Sequence, residues 1–162
     1  MQKQLIFALK VGIIYFIMKI LVITDTHRQV NNAKKVLFDN PDITNVIHLG
    51  DLVRDAEQIQ EEFPDKTFHI VKGNNDWMDF ARENLILSLC GHNIFATHGH
   101  AFGVKGGYTL LARHAKSMGC DLALFGHTHS YADTVVDGVR CLNPSNNGYF
   151  IITKEEITFY KY

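Results

Sequence analysis

The sequence predicts one α/β domain built on a mixed β-sheet. Two observations carry that prediction. Apolar, β-branched runs alternate with helical segments through the first half of the chain, the pattern of parallel strands joined by right-handed crossovers. Beyond Gly126, Asp137-Gly138 and the last apolar runs read as hairpins, which need antiparallel pairing. A chain of 162 residues has room for one proper core and hardly for two.

Lys19-Ile20-Leu21-Val22-Ile23-Thr24 is a first buried strand, apolar on both faces and ending in Asp25-Thr26-His27. Asn31 or Asn32 can cap a helix through Phe38, with Ala33, Val36 and Leu37 on one face, and Asn40-Pro41-Asp42 stops it. Val46-Ile47-His48-Leu49 is a second strand ending in Gly50-Asp51, and a polar helix follows, running through Ile59 to Phe63 and closed by Pro64. Thr67–Val71 is a third strand, ending in Gly73-Asn74-Asn75-Asp76. Leu85–Cys90 and Asn93–Thr97 are short strands joined by the turn Gly91-His92, and the second ends in His98-Gly99-His100. After a glycine-rich loop, Gly103 to Gly107, a helix spans Tyr108 to Met118 and ends at Gly119. Asp121–Phe125 leads into Gly126-His127-Thr128-His129. Tyr131–Val136 with Val139–Leu142, and Tyr149–Thr153 with Glu156–Tyr160, complete the two hairpins.

A formal net charge of -1 argues against a general nucleic-acid binder held by bulk charge. Cys90, Cys120 and Cys141 are odd in number and widely spaced, so reduced core thiols in a cytoplasmic protein are expected rather than a disulfide framework. Residues 1–17 read as an N-terminal extension before a single domain at 18–162. Their apolar stretch is interrupted by Lys10 and is too short for a confident membrane span; no membrane association is expected. That extension and the short edge hairpins are candidate contact surfaces for a homo-oligomer.

The nine histidines include two His-x-His pairs, His98/His100 and His127/His129, and this clustering is the compositional anomaly. Five apolar runs end in metal-ligand residues: Asp25 and His27, Asp51, Asn74, His98, and His127 with His129. Parallel neighbours place their C-terminal ends on one edge, where open α/β sheets hold their ligands. Two carboxylates, an amide oxygen and four imidazoles exceed what one four-coordinate zinc needs. They suit two divalent ions sharing a carboxylate. A nitrogen and oxygen set without thiolate suits manganese, iron, zinc or nickel, and manganese is taken first. Two dications bring more charge than two aspartates return. The surplus would hold an anionic phosphate and acidify a bridging water.

These ordered motifs, Asp25-x-His27, Gly50-Asp51, Gly73-Asn74-Asn75-Asp76, His98-Gly99-His100 and Gly126-His127-Thr128-His129, resemble the calcineurin-like metallophosphoesterase superfamily, in particular its small bacterial and archaeal YfcE-like phosphodiesterase branch. The resemblance runs from Met18 to the C-terminus. It implies a four-layer sandwich of two mixed β-sheets flanked by helices, with a dinuclear site at the strand ends. It assigns Asp25, His27, Asp51 and His129 to one metal and Asp51, Asn74, His98 and His127 to the other, with Asp51 bridging. The implied activity is hydrolysis of small phosphoesters, diesters before monoesters, by a metal-bridging hydroxide. The same fold serves as a non-catalytic protein-binding module in a retromer subunit, which is the alternative. Many members of the superfamily carry His where this chain has Asn75, and an amide cannot supply a proton near neutral pH. His100 is therefore the candidate for phosphate contact or proton donation, Asn75 for an oxyanion contact, and Asp76 for orienting the loop. Asn143-Pro144-Ser145-Asn146 reads as a structural turn near the site. His48 and His69 read as core or sheet-face histidines, Lys105 as a solvated lysine, and Trp77 as a packing residue before a base-pocket residue.

Overall fold

The computed structural model describes residues 18–77 and 79–162, so the expected N-terminal extension lies outside the described residues. Strands β1 (Lys19–Ile23), β2 (Ile43–His48) and β3 (Thr67–Ile70) run parallel, joined by helices α1 (Val30–Asp39) and α2 (Val53–Glu62). Strands β4 (Asn84–Leu89) and β5 (His92–Thr97) form an antiparallel pair. A 3₁₀ turn at His100–Phe102, helix α3 (Thr109–Ser117) and strand β6 (Leu122–Leu124) follow. Strands β7 (Ala132–Val136), β8 (Val139–Asn143), β9 (Gly148–Ile152) and β10 (Ile157–Lys161) complete the chain.

The strands form two five-stranded mixed sheets, β10-β9-β1-β2-β3 and β4-β5-β6-β8-β7. Alternation along each central strand explains the layers. On β1, Ile20 and Val22 face Ile94, Ala96, Leu122 and Leu124 of the other sheet, while Leu21 and Ile23 face the outer helices. Helix α1 buries Val30, Ala33, Val36 and Leu37, and α2 buries Val53, Ala56 and Ile59. On the far side, Leu111, Ala112 and Ala115 of α3 pack on Phe95, Ala123 and Cys141. The result is the helix–sheet–sheet–helix sandwich implied by the resemblance. Both faces of β1 and β6 are covered, which is why their runs are continuously apolar.

Local details differ from expectation where tertiary bonds intervene. Gln29, not Asn31 or Asn32, is the N-cap of α1, and it offers no side-chain bond. Its N–H instead donates to Thr26 O at 2.7 Å, so the ligand-bearing loop itself delivers the chain into the helix. Strand β2 begins at Ile43, three residues before the expected Val46, because Ile43 already pairs with Lys19 and Asn45 with Ile20 of β1. The β7–β8 turn is Asp137-Gly138 with φ of 51° and 84°, the left-handed pair that matches the twist of a two-residue hairpin. All three cysteines are free thiols. Among the described residues, no helix is long and apolar enough to cross a membrane.

Candidate metal centre

Five loops meet at one end of the sandwich, following β1, β2, β3, β5 and β6. Within each sheet neighbouring loops are tied, Asp25 N–H donating to Gly50 O at 3.1 Å and Gly126 N–H to His98 O at 3.0 Å, and His127 N–H crosses the seam between the sheets to Asp25 Oδ2 at 3.1 Å. Asp25, His27, Arg28, Asp51, Leu52, His127 and His129 all have positive φ. Such residues are uncommon outside glycine and concentrate where a fold holds strained backbone for a purpose. Here the left-handed turns keep successive side chains in one cluster instead of carrying each strand past it.

The loops approach so closely that only glycine fits at two contacts. A Cβ on Gly73 would overlap Asp51 Oδ1 and Asp51 N, and one on Gly126 would overlap Thr24 Oγ1 and come within 2.7 Å of Asp25 Oδ2.

Asp25, His27, Asp51 and His129 offer ligand atoms that all lie within 4.8 Å of one another. Asp25 Oδ1 is buried and has no hydrogen-bond partner. His129 Nε2 lies 3.2 Å from it and His27 Nε2 3.8 Å, while the two Nε2 atoms are 3.3 Å apart. A buried orphan oxygen facing two convergent imidazole nitrogens is a poor arrangement for protein alone and a fitting one for a divalent cation.

Beside this group, His98 Nε2 sits 3.1 Å from Asn74 Oδ1 and 3.5 Å from Asp51 Oδ1. His98 Nδ1 is 2.8 Å from the Leu49 carbonyl. A carbonyl only accepts, so Nδ1 carries the hydrogen and Nε2 keeps its lone pair for the cluster. The His127 ring packs edge-on against His98 with centroids 5.1 Å apart, and stands outside the tight four-residue group. Burial pushes the His127 imidazole below its ordinary pKa, with the neighbouring His98 acting in the same direction. His100 is exposed, 5.6 Å from the His98 ring and 6.1 Å from the His127 ring, at the mouth of the site.

Asn75 and Asp76 act on the loops. Asn75 Nδ2 donates to Asp51 Oδ2 at 2.8 Å and its N–H to Oδ1 at 3.2 Å. Asp76 accepts from the N–H groups of Leu52, Val53 and Gly73, the first two at the start of α2, where a carboxylate also meets the positive end of the helix dipole. Trp77 does not pack into the core: it is 88% exposed. Asp76 is held inward by these three bonds, and the next side chain turns to solvent.

A buried chain of polar groups beneath the site has no motif in the sequence. His48 Nδ1 accepts from Gly50 N–H at 3.2 Å, its Nε2–H faces Thr26 Oγ1 at 3.1 Å, and Thr26 donates to Asp55 Oδ2 at 2.6 Å. Asp55 also accepts the Arg28 N–H at 2.7 Å. The chain locks the first two ligand loops together and needs a neutral imidazole. Burial pushes the His48 pKa from its ordinary 6.5 down to about 4, against the pull of Asp55, Asp25 and Asp76. Because the folded value lies below the unfolded one, His48 contributes full stability above the unfolded pKa and loses it as pH falls through the folded pKa. Metal-free protein is expected to lose roughly 3 kcal/mol of stability from this residue between neutral pH and pH about 4. Urea titrations in chelator check it: His48→Asn should flatten that part of the pH profile, and an unchanged slope would contradict the assignment.

Asn143 is the other residue whose importance depends on distant partners. Fully buried, it donates from Nδ2 to Gly126 O at 2.8 Å and Thr128 Oγ1 at 2.9 Å, and accepts from Ser145 N–H at 2.8 Å. It is the clamp on the histidine loop. Asn143→Ala is expected to cost about 2–3 kcal/mol in unfolding experiments and to weaken metal binding by about 10- to 100-fold in calorimetry.

A four-layer α/β sandwich with aspartates and histidines gathered at converged strand ends is the architecture of the metallophosphoesterases. Residues 18–154 match the calcineurin-like phosphoesterase superfamily domain, and this chain belongs to that superfamily. It is 32% identical over 145 residues to a phosphodiesterase of Methanocaldococcus jannaschii, covering 78% of this chain and 82% of that one. It is 31% identical over 158 residues to a probable metallophosphoesterase of Mycoplasma genitalium, covering 86% and 91%. Among solved structures, zinc-complexed wild-type Vps29 from Entamoeba histolytica superposes with a TM-score of 0.74 at 24% identity, over 90% of this chain and 92% of that one. That last likeness speaks to the fold.

Proposed function

We propose that the protein is a dinuclear metal-dependent hydrolase of phosphodiesters, with phosphomonoesters as secondary substrates. The observation that carries this reading is the orphaned Asp25 Oδ1 facing two imidazole nitrogens, next to an Asp51 that is shared with a second donor group. Family membership and the phosphodiesterase relative support the same reading. Asp25, His27, Asp51 and His129 would hold one ion; Asp51, Asn74, His98 and His127 would hold the other. When bound, two divalent ions supply an acidified water and neutralise phosphoryl charge. Manganese is our leading candidate, with nickel, iron and zinc as alternatives that nitrogen and oxygen donors also suit.

The chain's own residues set up that chemistry. Leu49 O fixes the His98 tautomer, so its lone pair faces the site without reorganisation. Asn75 holds both oxygens of the Asp51 carboxylate and presents no proton to a leaving group. His100, at the mouth, is the one imidazole outside the ligand set that is placed to meet phosphate or a departing oxygen. With an amide at Asn75 in place of an acid, the site favours esters with good leaving groups.

The test is direct. Protein purified with manganese should hydrolyse a chromogenic diester faster than the matching monoester. Absence of turnover with manganese, nickel, iron and zinc alike would overturn the enzyme reading and leave the protein-binding module.

A further inference from the structure

An open cleft of about 430 Å³ borders the candidate metal centre, and its walls grow out of the ligand loops. Arg28 follows His27, Leu52 follows Asp51, and Asn75 follows Asn74. Two of its three carboxylates are committed inside the fold, Asp55 and Asp76 being buried and taking the internal bonds described above; the third, the half-buried Asp79, accepts the Ala81 N–H on Oδ1 at 2.7 Å. Its cations are not so committed. Among the described residues, neither Arg28 nor Arg54 enters an ion pair or a side-chain hydrogen bond, although both line the cleft. The third free group is the Trp77 indole, 88% exposed, with Phe80 just beyond it fully exposed. An indole left in water beside two uncommitted guanidinium groups lacks any folding reason. Stacking surface and anion-binding forks side by side are what a nucleotide needs.

We infer that this cleft is the recognition subsite for a nucleotide moiety of the phosphodiester substrate, with the base on Trp77 and phosphate or sugar oxygens on Arg28 and Arg54. The inference rests on the phosphodiesterase reading for its link to turnover, but not for binding. A short aliphatic ester would reach the metal centre and leave the cleft empty. A nucleotide ester would occupy both, so the cleft acts on KM and selectivity while the ligand loops act on chemistry.

Trp77 is the sole tryptophan, so its fluorescence reports cleft occupancy without any assay of activity. In chelated and in manganese-loaded protein, AMP should quench it saturably and ribose 5-phosphate should not. Arg54→Ala, an exposed position on α2, should raise the AMP half-saturation by about fivefold or more. In turnover, thymidine 5′-(p-nitrophenyl phosphate) and ethyl p-nitrophenyl phosphate share a leaving group and differ only in the nucleoside. Trp77→Ala should lower kcat/KM for the first by about tenfold or more and leave the second within about twofold. Equal quenching by AMP and ribose 5-phosphate, quenching by neither, or equal loss on both esters would overturn the proposal. If neither ester is turned over, the phosphodiesterase reading fails, and the fluorescence titration still decides the cleft.

Discussion

Asp51→Ala is expected to lower kcat/KM for a diester by about a thousandfold or more, a loss on the order of 4 kcal/mol or greater in transition-state stabilisation. Metal content, measured on the same purified protein, should fall with it. The reason is position. Asp51 lies against ligand side chains of both halves of the site: it belongs to the tight group with Asp25, His27 and His129, and its Oδ1 is also 3.5 Å from His98 Nε2. Two donors from Asn75 hold it in place. Losing a peripheral histidine would thin one half of the cluster, whereas losing Asp51 removes the shared wall. A variant that kept both ions and most of its activity would dismiss Asp51 as the bridge.

Gly73→Ala should be nearly as damaging, although position 73 carries no chemistry. The added methyl would overlap Asp51 Oδ1 and the Asp51 amide nitrogen, and would come within 3.0 Å of its Cα. Two of those three atoms are backbone, so no rotamer change relieves the clash. The expected cost is about 2–4 kcal/mol of unfolding free energy, together with loss of metal as the Asp51 loop is pushed from β3. Gly106→Ala is the matched control. There the methyl meets nothing nearer than Gly103 O at 3.5 Å, and it should be close to neutral in the same chemical denaturation experiment. Equal stability of the two variants would mean that the loops can separate freely.

Both results concern how far this protein can be read from its residues. The strands and the ligand set are legible because each is written locally: Ile20–Ile23 is apolar on both faces, and Asp25 and His27 follow at once. The division of the strands between two sheets is not local. Strand β8 lies parallel to β6 through a connection that passes the edge strand β7, and only the packed core selects that order. The buried His48–Thr26–Asp55 chain is equally unwritten, since its members are common residue types whose meaning comes from being brought together across 22 and 29 positions. For Trp77 the sequence offers packing first and a base-pocket lining second, and the indole is 88% exposed. Its outward position follows from three backbone bonds to the residue before it.

The tie from His127 N–H to Asp25 Oδ2 joins positions 102 residues apart. A chain emerging from synthesis would carry Asp25, His27, Asp51, Asn74 and His98 long before the two histidines that close the cluster. Contacts of such separation form late, since their loop entropy must be overcome first. A bound ion would therefore act as a seal on finished molecules: it would slow their unfolding while leaving the rate of folding almost untouched.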